Sequence, residues 1–362
     1  MTLITTMTGA AGILALLGVW SHATAASVVE GVIYSAGNYT IINVPGSTTT
    51  MPVSVNAAGA VAGNFSSGGP GDGFVESGGT YTIIDVPGST FTHVSGMNNS
   101  GAVAGNAYGL FPGQPGFTDQ GFIETGGVYA FINYPGFVGS TIVNAINDSG
   151  TVAGTYTNLR GFVESGGTYT DIYVPGSVST NVRAINDSGT VAGTFSTTFP
   201  LNSEGFVESG GTYTIINVPG ASSTKVVAIN DSGTVAGYFS SGGPDVGFVE
   251  SGGTYTIIDV PGSDSTEVTA INDFGAVTGT FFNGTKSMGF LETGGIYTIL
   301  EPPGTINFGP TSINASDVVV GDAVPVPEPA TWALMLIGLG VGGTMLRRHR
   351  RRINRGLANH QP

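Results

Sequence analysis

Short runs of alternating apolar and polar residues fill the chain between residues 27 and 325, and the runs recur. A segment that reads Gly-Phe-Val-Glu-Ser-Gly-Gly-Thr-Tyr-Thr-Ile-Ile-Asp-Val-Pro-Gly, or a near copy, begins seven times, at intervals of 42, 48, 40, 44, 42 and 42 residues. Sequence periods of about 40 to 50 residues are typical of solenoids and propellers. The seven copies begin at Gly31, Gly73, Gly121, Gly161, Gly205, Gly247 and Gly289.

One repeat unit predicts four short strands. In the unit that contains the fourth copy, these strands cover residues 141–147, 151–156, 161–164 and 168–174. Asp-Ser-Gly and Gly-Gly separate the β-branched runs, and glycine supplies the positive φ that tight hairpin turns require. A Pro-Gly pair ends each unit, and proline fits a crossing between units because it cannot donate to a sheet ladder. No helical period occurs between residues 27 and 325.

The apolar faces of these strands favour a propeller. Within residues 254–260, Tyr255 and Ile257 alternate with Ile258 and Val260, so both faces of the strand carry apolar groups. Propeller blades pack between two neighbours and leave only short edges exposed. We therefore expect an all-β fold, a seven-bladed β-propeller built from seven four-stranded repeats. A stack of parallel coils or an open β-solenoid is the alternative, and it requires distinct caps at both ends.

The phase of the repeat predicts how the ring closes. The first copy supplies only the third and fourth strands of a unit, and the last unit ends with a first and a second strand. One blade is then shared by the two ends of the repeat region, with residues 318–324 paired against residues 31–35. Ala145 and Gly154 are small, which assigns the first two strands of each unit to the inner part of the blade.

The two ends of the chain predict export. An apolar run over residues 9–20 precedes Ala23-Thr24-Ala25, a plausible cleavage site, which indicates a helical signal peptide over residues 1–26. The usual basic start is missing, since no lysine or arginine precedes Arg160. Residues 330–346 are uncharged, long enough for a short transmembrane helix, and an arginine cluster follows them. Because basic flanks stay in the cytoplasm, residues 353–362 form a cytoplasmic tail and the body lies outside.

Residues 326–352 closely resemble the PEP-CTERM sorting signal of Gram-negative bacteria. The resemblance implies that an exosortase-type membrane protease recognises the tail, removes the helix and sends the protein to the cell surface or the extracellular matrix. The alternative is an ordinary single-pass membrane anchor. The residues that would carry the signal are Pro327, Glu328, Pro329, Arg347, Arg348 and Arg350.

The repeat units resemble the HAF family of extracellular repeats. The resemblance rests on Ala184-Ile185-Asn186-Asp187, on Gly189-Thr190-Val191-Ala192-Gly193 and on Gly205-Phe206-Val207, with counterparts in the other copies over residues 31–323. It implies an exported, propeller-like protein and no catalytic residue. The first and last units depart from the pattern, since they read Val55-Asn56-Ala57 and Ile313-Asn314-Ala315.

Composition limits the partners. The chain has no cysteine, which excludes disulfides and thiolate metal sites. Of the 10 basic residues, 6 follow Pro329, whereas all 24 acids precede it, so residues 1–328 carry 4 minus 24, a net charge of −20. Such a body repels nucleic acid, and it repels anionic polymers unless divalent cations bridge the two.

The repeated acids predict structure rather than catalysis. One glutamate precedes each Gly-Gly turn in six copies, and we expect solvated hairpin ends, with a Ca²⁺ site as the alternative. Asp148, Asp187 and Asp231 follow asparagine at the other hairpin, where we expect them to bond the amides of their own turns. The body has a single histidine, His93, which we interpret as a surface residue rather than part of a triad. The glutamates are Glu76, Glu124, Glu164, Glu208, Glu250 and Glu292.

Departures from the repeat are where a binding site would lie. Residues 108–120 form the longest predicted loop, and its Tyr108, Phe111 and Phe117 make a candidate ligand-binding surface, unless they are buried against the blades. We expect an exported, non-catalytic protein without a cofactor that binds or structures extracellular material, such as polysaccharide. The runner-up is a polysaccharide-acting enzyme with paired carboxylates. Its acids would come from outside the repeat, among them Asp72, Asp119, Asp171, Glu204, Asp245, Asp264 and Glu267.

Overall fold

A computed structural model describes residues 29–111, 117–136, 139–156, 159–198 and 203–326. These segments form 28 strands and no helix. Within them, accordingly, no helix is long and apolar enough to cross a membrane. The signal helix predicted for residues 1–26 and the transmembrane helix predicted for residues 330–346 lie outside the described residues.

The strands are short, and each matches one run of the repeat. In chain order they are β1 (Glu30–Ser35), β2 (Asn38–Ile42), β3 (Thr49–Val55), β4 (Val61–Ser66), β5 (Asp72–Ser77), β6 (Thr80–Ile84), β7 (Ser89–Met97), β8 (Val103–Leu110), β9 (Phe117–Thr125), β10 (Val128–Ile132), β11 (Thr141–Ile146), β12 (Val152–Tyr156), β13 (Arg160–Ser165), β14 (Thr168–Ile172), β15 (Ser179–Ile185), β16 (Val191–Ser196), β17 (Glu204–Ser209), β18 (Thr212–Ile216), β19 (Ser223–Ile229), β20 (Val235–Ser240), β21 (Val246–Ser251), β22 (Thr254–Ile258), β23 (Ser265–Ile271), β24 (Val277–Phe282), β25 (Ser287–Thr293), β26 (Ile296–Leu300), β27 (Thr305–Ile313) and β28 (Val319–Pro325).

Seven antiparallel four-stranded sheets form a closed ring. Blades 1 to 6 each contain four consecutive strands, from β3–β6 to β23–β26, and blade 7 has the order β2-β1-β28-β27. The first strand of each blade contacts the first strand of the next, and β27 contacts β3. The seven-bladed β-propeller is confirmed, and the open solenoid is excluded. The first strand is innermost and the fourth outermost.

Blade 7 joins distant parts of the chain. β28 pairs antiparallel with β1, with Glu30 opposite Ala323 and Tyr34 opposite Val319. This is the pairing that the phase of the repeat predicts. Val29 adds a parallel bridge to Thr49 at the start of blade 1.

The hydrophobic core lies between blades, in seven clusters. One cluster brings Ile42 and Val320 of blade 7 against Val61 and Phe74 of blade 1. The phenylalanine of the third strand is fully buried in six blades, and a buried residue of this size contributes about 1.5–3 kcal/mol. In the outermost strand the prediction of two packed faces is wrong for Ile257, which is 49% exposed while Ile258 is 4% exposed. Neighbouring blades diverge towards the rim, so only one face there is covered.

A glycine in the second strand of every blade is required by close packing. The innermost strand has an irregular register at this level, for example between Val143 and Ala145. A Cβ on Gly154 would lie 1.9 Å from the carbonyl oxygen of Ile142. The equivalent glycines approach the innermost strand in the same way, which explains the repeated Val-Ala-Gly. They are Gly63, Gly105, Gly154, Gly193, Gly237, Gly279 and Gly321.

Candidate functional site

A polar funnel opens on the propeller axis, at the face where the hairpins between first and second strands meet. Its cavity has a volume of about 260 Å³. Three successive residues of each blade line it: an apolar residue such as Ile229, then an asparagine such as Asn230, then a rim residue such as Asp231. Six of the seven apolar residues are buried and Ile146 is partly exposed, so the funnel presents mainly amide and carboxylate groups.

The asparagines form a ring of seven, and a hydrogen bond joins neighbours at six of its seven steps, all except the step from Asn56 to Asn98. The Oδ1 atom of Asn230 accepts a hydrogen bond from the Thr234 amide at 3.0 Å, which closes its own hairpin. Its Nδ2 donates to the Asn272 carbonyl oxygen of the next blade at 3.0 Å. Asn314 donates to Asn56 in the same way, also at 3.0 Å, and so joins blade 7 to blade 1. Sequence reasoning missed this ring, although the asparagine occurs in all seven units. Its members are Asn56, Asn98, Asn147, Asn186, Asn230, Asn272 and Asn314.

The rim aspartates bond across blades, which corrects the expectation that each bonds its own turn. Asp187 accepts from the Asp148 amide at 2.8 Å, and Asp231 accepts from the Asp187 amide at 2.9 Å. Asp273 continues the chain by accepting from Asp231 at 3.0 Å. Burial, together with the charges of Asp148 and Asp231, raises the pKa of Asp187. The described residues contain no group of three or more acidic or histidine side chains placed to hold a metal ion.

The six repeated glutamates are buried, so the expectation of solvated hairpin ends is wrong. Glu250 is 8% exposed, and its Oε1 accepts a hydrogen bond from the Gly253 amide at 2.6 Å. Glu76 makes the equivalent bond to Gly79 at 2.7 Å. Each carboxylate therefore caps the second glycine of its own Gly-Gly turn, and this geometry gives it a structural role.

Two acids outside the repeat come together at the opposite face. Glu267 on β23 follows Thr266, whose amide donates to the Asp245 carbonyl oxygen at 2.9 Å, so the two acids lie on neighbouring segments. Burial raises the pKa of Glu267, Asp245 raises it further, and Lys225 opposes the shift. The Lys225 ammonium lies 4.8 Å from the centre of the Tyr238 ring.

The aromatic residues of the predicted binding loop do not share one exposed surface. Tyr108 lies in β8 and stacks on Phe91 with ring centres 5.4 Å apart. Phe111 is 8% exposed and packs 5.5 Å from Phe131, which agrees with the alternative of burial against the blades. Phe117 begins β9, and its side chain is outside the described part. The loop is thus shorter than predicted, since strands extend into both of its ends.

The predicted sorting residues follow directly after the last strand. β28 ends at Pro325, and Val326, which is 52% exposed, is the last described residue. Pro327, Glu328, Pro329, Arg347, Arg348 and Arg350 lie outside the described residues.

Comparison with known proteins supports the interpretation of the tail. The PEP-CTERM protein-sorting motif matches residues 325–352. The motif implies an exported protein that an exosortase, a membrane protease, processes. No curated protein is significantly similar to the chain.

Two solved structures share the propeller fold. The β-propeller domain of the Trilobed protease from Pyrococcus furiosus has 10% sequence identity and a TM-score of 0.52, over 77% of this chain and 96% of that domain. An acylaminoacyl peptidase in complex with Z-Gly-Gly-Phe-chloromethyl ketone has 11% identity and a TM-score of 0.51, over 78% of this chain and 50% of that peptidase. At these identities the likeness shows the fold alone. The Trilobed protease domain is described as having an open velcro topology, whereas β1 and β28 close the ring here.

Proposed function

We propose that this protein is a non-catalytic β-propeller that an exosortase-type system sorts to the cell surface or the extracellular matrix, where it binds or structures extracellular material. The observation that carries the proposal is the sorting motif at residues 325–352, directly after the last strand of the propeller. Before processing, the helix predicted for residues 330–346 would hold the protein in the inner membrane. The resemblance of the units to HAF repeats supports the same extracellular location.

The use of the polar groups supports a role without catalysis. The repeated glutamates cap turns, the asparagines link blades, and the rim aspartates accept amides from the preceding blade. These groups are therefore engaged in holding the propeller together. The proposal needs no cofactor, although Ca²⁺ would bridge the acidic surface to an anionic polymer.

A polysaccharide-acting enzyme is the second candidate, because Asp245 and Glu267 converge. Its test is a reducing-sugar assay on the full chain with soluble polysaccharides, alongside Glu267→Gln and Asp245→Asn. Turnover that both substitutions abolish would establish the enzyme. We expect no turnover above the blank, because the repeated polar groups are engaged in holding the propeller together.

The sorting step is tested in a Gram-negative host that contains an exosortase. We expect the full chain to be shortened at its C-terminus and recovered from the surface or the medium. Replacing Pro327, Glu328 and Pro329 by alanine should leave it at full length in the inner-membrane fraction. Thr344→Ala, a change inside the apolar run, is the control and should be processed normally. Equal processing of the triple variant and the control would contradict the proposal.

A further inference from the structure

The seven units provide an internal comparison, and a set of departures from it lies in blade 3 and at the end of blade 2. Five side chains there differ from their equivalents in the other units, and all five lie on the side of the propeller opposite the axial funnel. Because the repeat explains what the scaffold needs at each position, these departures indicate a local role beyond the scaffold. The five residues are Tyr134, Tyr156, Arg160, Asp171 and Tyr173.

Asp171 replaces an exposed apolar residue of the outermost strand. Six other blades carry isoleucine or phenylalanine at this position, and these side chains are 43–49% exposed. A surface position that tolerates isoleucine in this environment has no structural need for a carboxylate. The equivalents are Ile41, Ile83, Phe131, Ile215, Ile257 and Ile299.

The other departures also add polar or aromatic chemistry. Tyr134 stands where five units have a buried valine, and Tyr156 stands where four have phenylalanine. Arg160 stands where three units have an acid, at Glu30, Asp72 and Glu204. The valines are Val44, Val86, Val174, Val218 and Val260, and the phenylalanines are Phe65, Phe195, Phe239 and Phe281.

Three of the five residues form one rigid unit. The rings of Tyr134 and Tyr156 stack with centres 3.8 Å apart and planes inclined by 6°. Both hydroxyls donate to the same oxygen, Oδ1 of Asp171, at 2.6 Å and 2.9 Å. The bond to Asp171 is the main reason that the pKa of Tyr134 is raised. Asp171 is exposed, and no described residue bonds its Oδ2, so this oxygen is open to an outside donor.

Arg160 and Tyr173 complete the surface. The guanidinium carbon of Arg160 lies 4.5 Å from the centre of the Tyr173 ring. Tyr173 is fixed by its hydroxyl, which donates to the Ser177 carbonyl oxygen, and by its amide, which donates to the Tyr213 hydroxyl at 2.9 Å. Arg160 is exposed, and among the described residues no carboxylate forms an ion pair with it. Its donors are therefore available to a ligand.

We propose that these five residues form a binding site for a neutral sugar residue of an extracellular polysaccharide. Asp171 on β14 lies opposite Phe162 of β13, two residues from Arg160, so a carboxylate oxygen and a guanidinium are offered from neighbouring strands. Together they complement vicinal hydroxyl groups, which both donate and accept hydrogen bonds. The partly exposed Tyr134 and Tyr173 supply an apolar surface for the sugar ring, and the buried Tyr156 supports Tyr134 from below. The opposite charges of Asp171 and Arg160 favour a neutral ligand over an anionic one, as does the net charge of −20 over residues 1–328. The site rests on the proposed function and deepens it.

The test returns single residues to what other units contain, so the variants should fold. Asp171→Ile and Arg160→Gln copy Ile215 and Gln120, and Asn217→Asp is the matched control because Asp259 occupies that place in the next blade. The full chain is immobilised in mild detergent, and binding of dextran, yeast mannan, galactomannan and alginate is measured by biolayer interferometry. Thermal melting of each variant reports on folding.

We expect at least one neutral polysaccharide to bind, the two site variants to bind about tenfold or more weakly, and the control to bind normally. Neutral binding that both variants retain would overturn the site while leaving the proposed function in place. Binding of alginate alone would overturn the neutral sugar. No binding of any of the four polymers would overturn the site, whereas the proposed function is tested separately by the sorting assay.

Discussion

The asparagine ring makes a quantitative prediction for Asn230→Ala. Asn230 is 5% exposed and makes three hydrogen bonds, to the Thr234 amide, the Ser232 hydroxyl and the Asn272 carbonyl oxygen. The substitution removes all three bonds and leaves the partly buried Thr234 amide without a partner, while the Asn272 carbonyl oxygen keeps only its bond from the Gly275 amide; together these losses cost about 3 kcal/mol. About 300 residues give an unfolding entropy of about 0.6 kcal/mol/K, so Tm should fall by about 5 °C.

Asp231→Ala is the matched control, one residue away on the exposed rim. Asp231 accepts one bond from the Asp187 amide, so its loss should lower Tm by about 1–2 °C. Both variants are compared with the wild type by calorimetry or circular dichroism at pH 7. Equal shifts for the two variants would refute the idea that the asparagine ring is a main link between blades.

Three further outcomes are expected. Gly237→Ala should lower Tm by about 5 °C, because its Cβ would lie 1.9 Å from a carbonyl oxygen, whereas Gly243→Ala, with no atom within 4 Å, should change it little; equal melting curves would contradict the packing argument. Burial raises the pKa of Tyr297, so its stabilising contribution is present below pH 10 and is lost as pH rises through the folded-state pKa; Tyr297→Phe should reduce the alkaline loss of stability and the late tyrosine titration at 295 nm. Burial and the neighbouring Asp245 raise the pKa of Glu267, so the stability that its protonated carboxyl contributes is present below pH 4.5 and is lost as pH rises through the folded-state pKa. Glu267→Gln should therefore raise Tm at pH 7 and give no increase in Tm near pH 4. An unchanged Tm at pH 7 would contradict the unfavourable environment of this carboxylate.

The fold could be predicted from the sequence because the same pattern of strands and turns occurs seven times. The hairpin glycines, the apolar alternation and the phase of the first and last copies determine the strands, the blades and the closure between β1 and β28. The strand ends differ from the prediction by one or two residues, as at β14, which ends at Ile172 rather than at 174. The residues beyond these strand ends lie in turns or in crossings between blades, where they have no partner in a sheet.

The candidate site was less predictable, because side-chain hydrogen bonds between blades leave no local spacing signal. Asp187 and Asn186 are adjacent, and turn preferences apply to both, yet only Asn186 closes its own hairpin. One signal was present: the first and last units keep Asn56 and Asn314 but carry alanine at the next position. A residue kept where its neighbour is lost is the one that the scaffold needs.

The group of Tyr134, Tyr156 and Asp171 could not be predicted from the sequence for the same reason. Tyr134 lies beyond the end of one blade, and its partners Tyr156 and Asp171 belong to the next, so the stack is visible only once the blades are side by side. The sequence did place Asp171 among the acids outside the repeat. It gave no reason to join that acid to two tyrosines 15 and 37 positions away.

The pairing of β1 with β28 also sets the order of events during secretion. Glu30 meets Ala323, so the strands that seal the disc are separated by about 290 positions, which makes their encounter one of the slowest contacts to form. Blades 1 to 6 can assemble as they emerge on the far side of the membrane, but the seam must wait for the final strand to be delivered. Until then the edge of β1 that β28 covers in the closed ring has no strand to pair with, and an unpaired edge is where a strand can bind another chain.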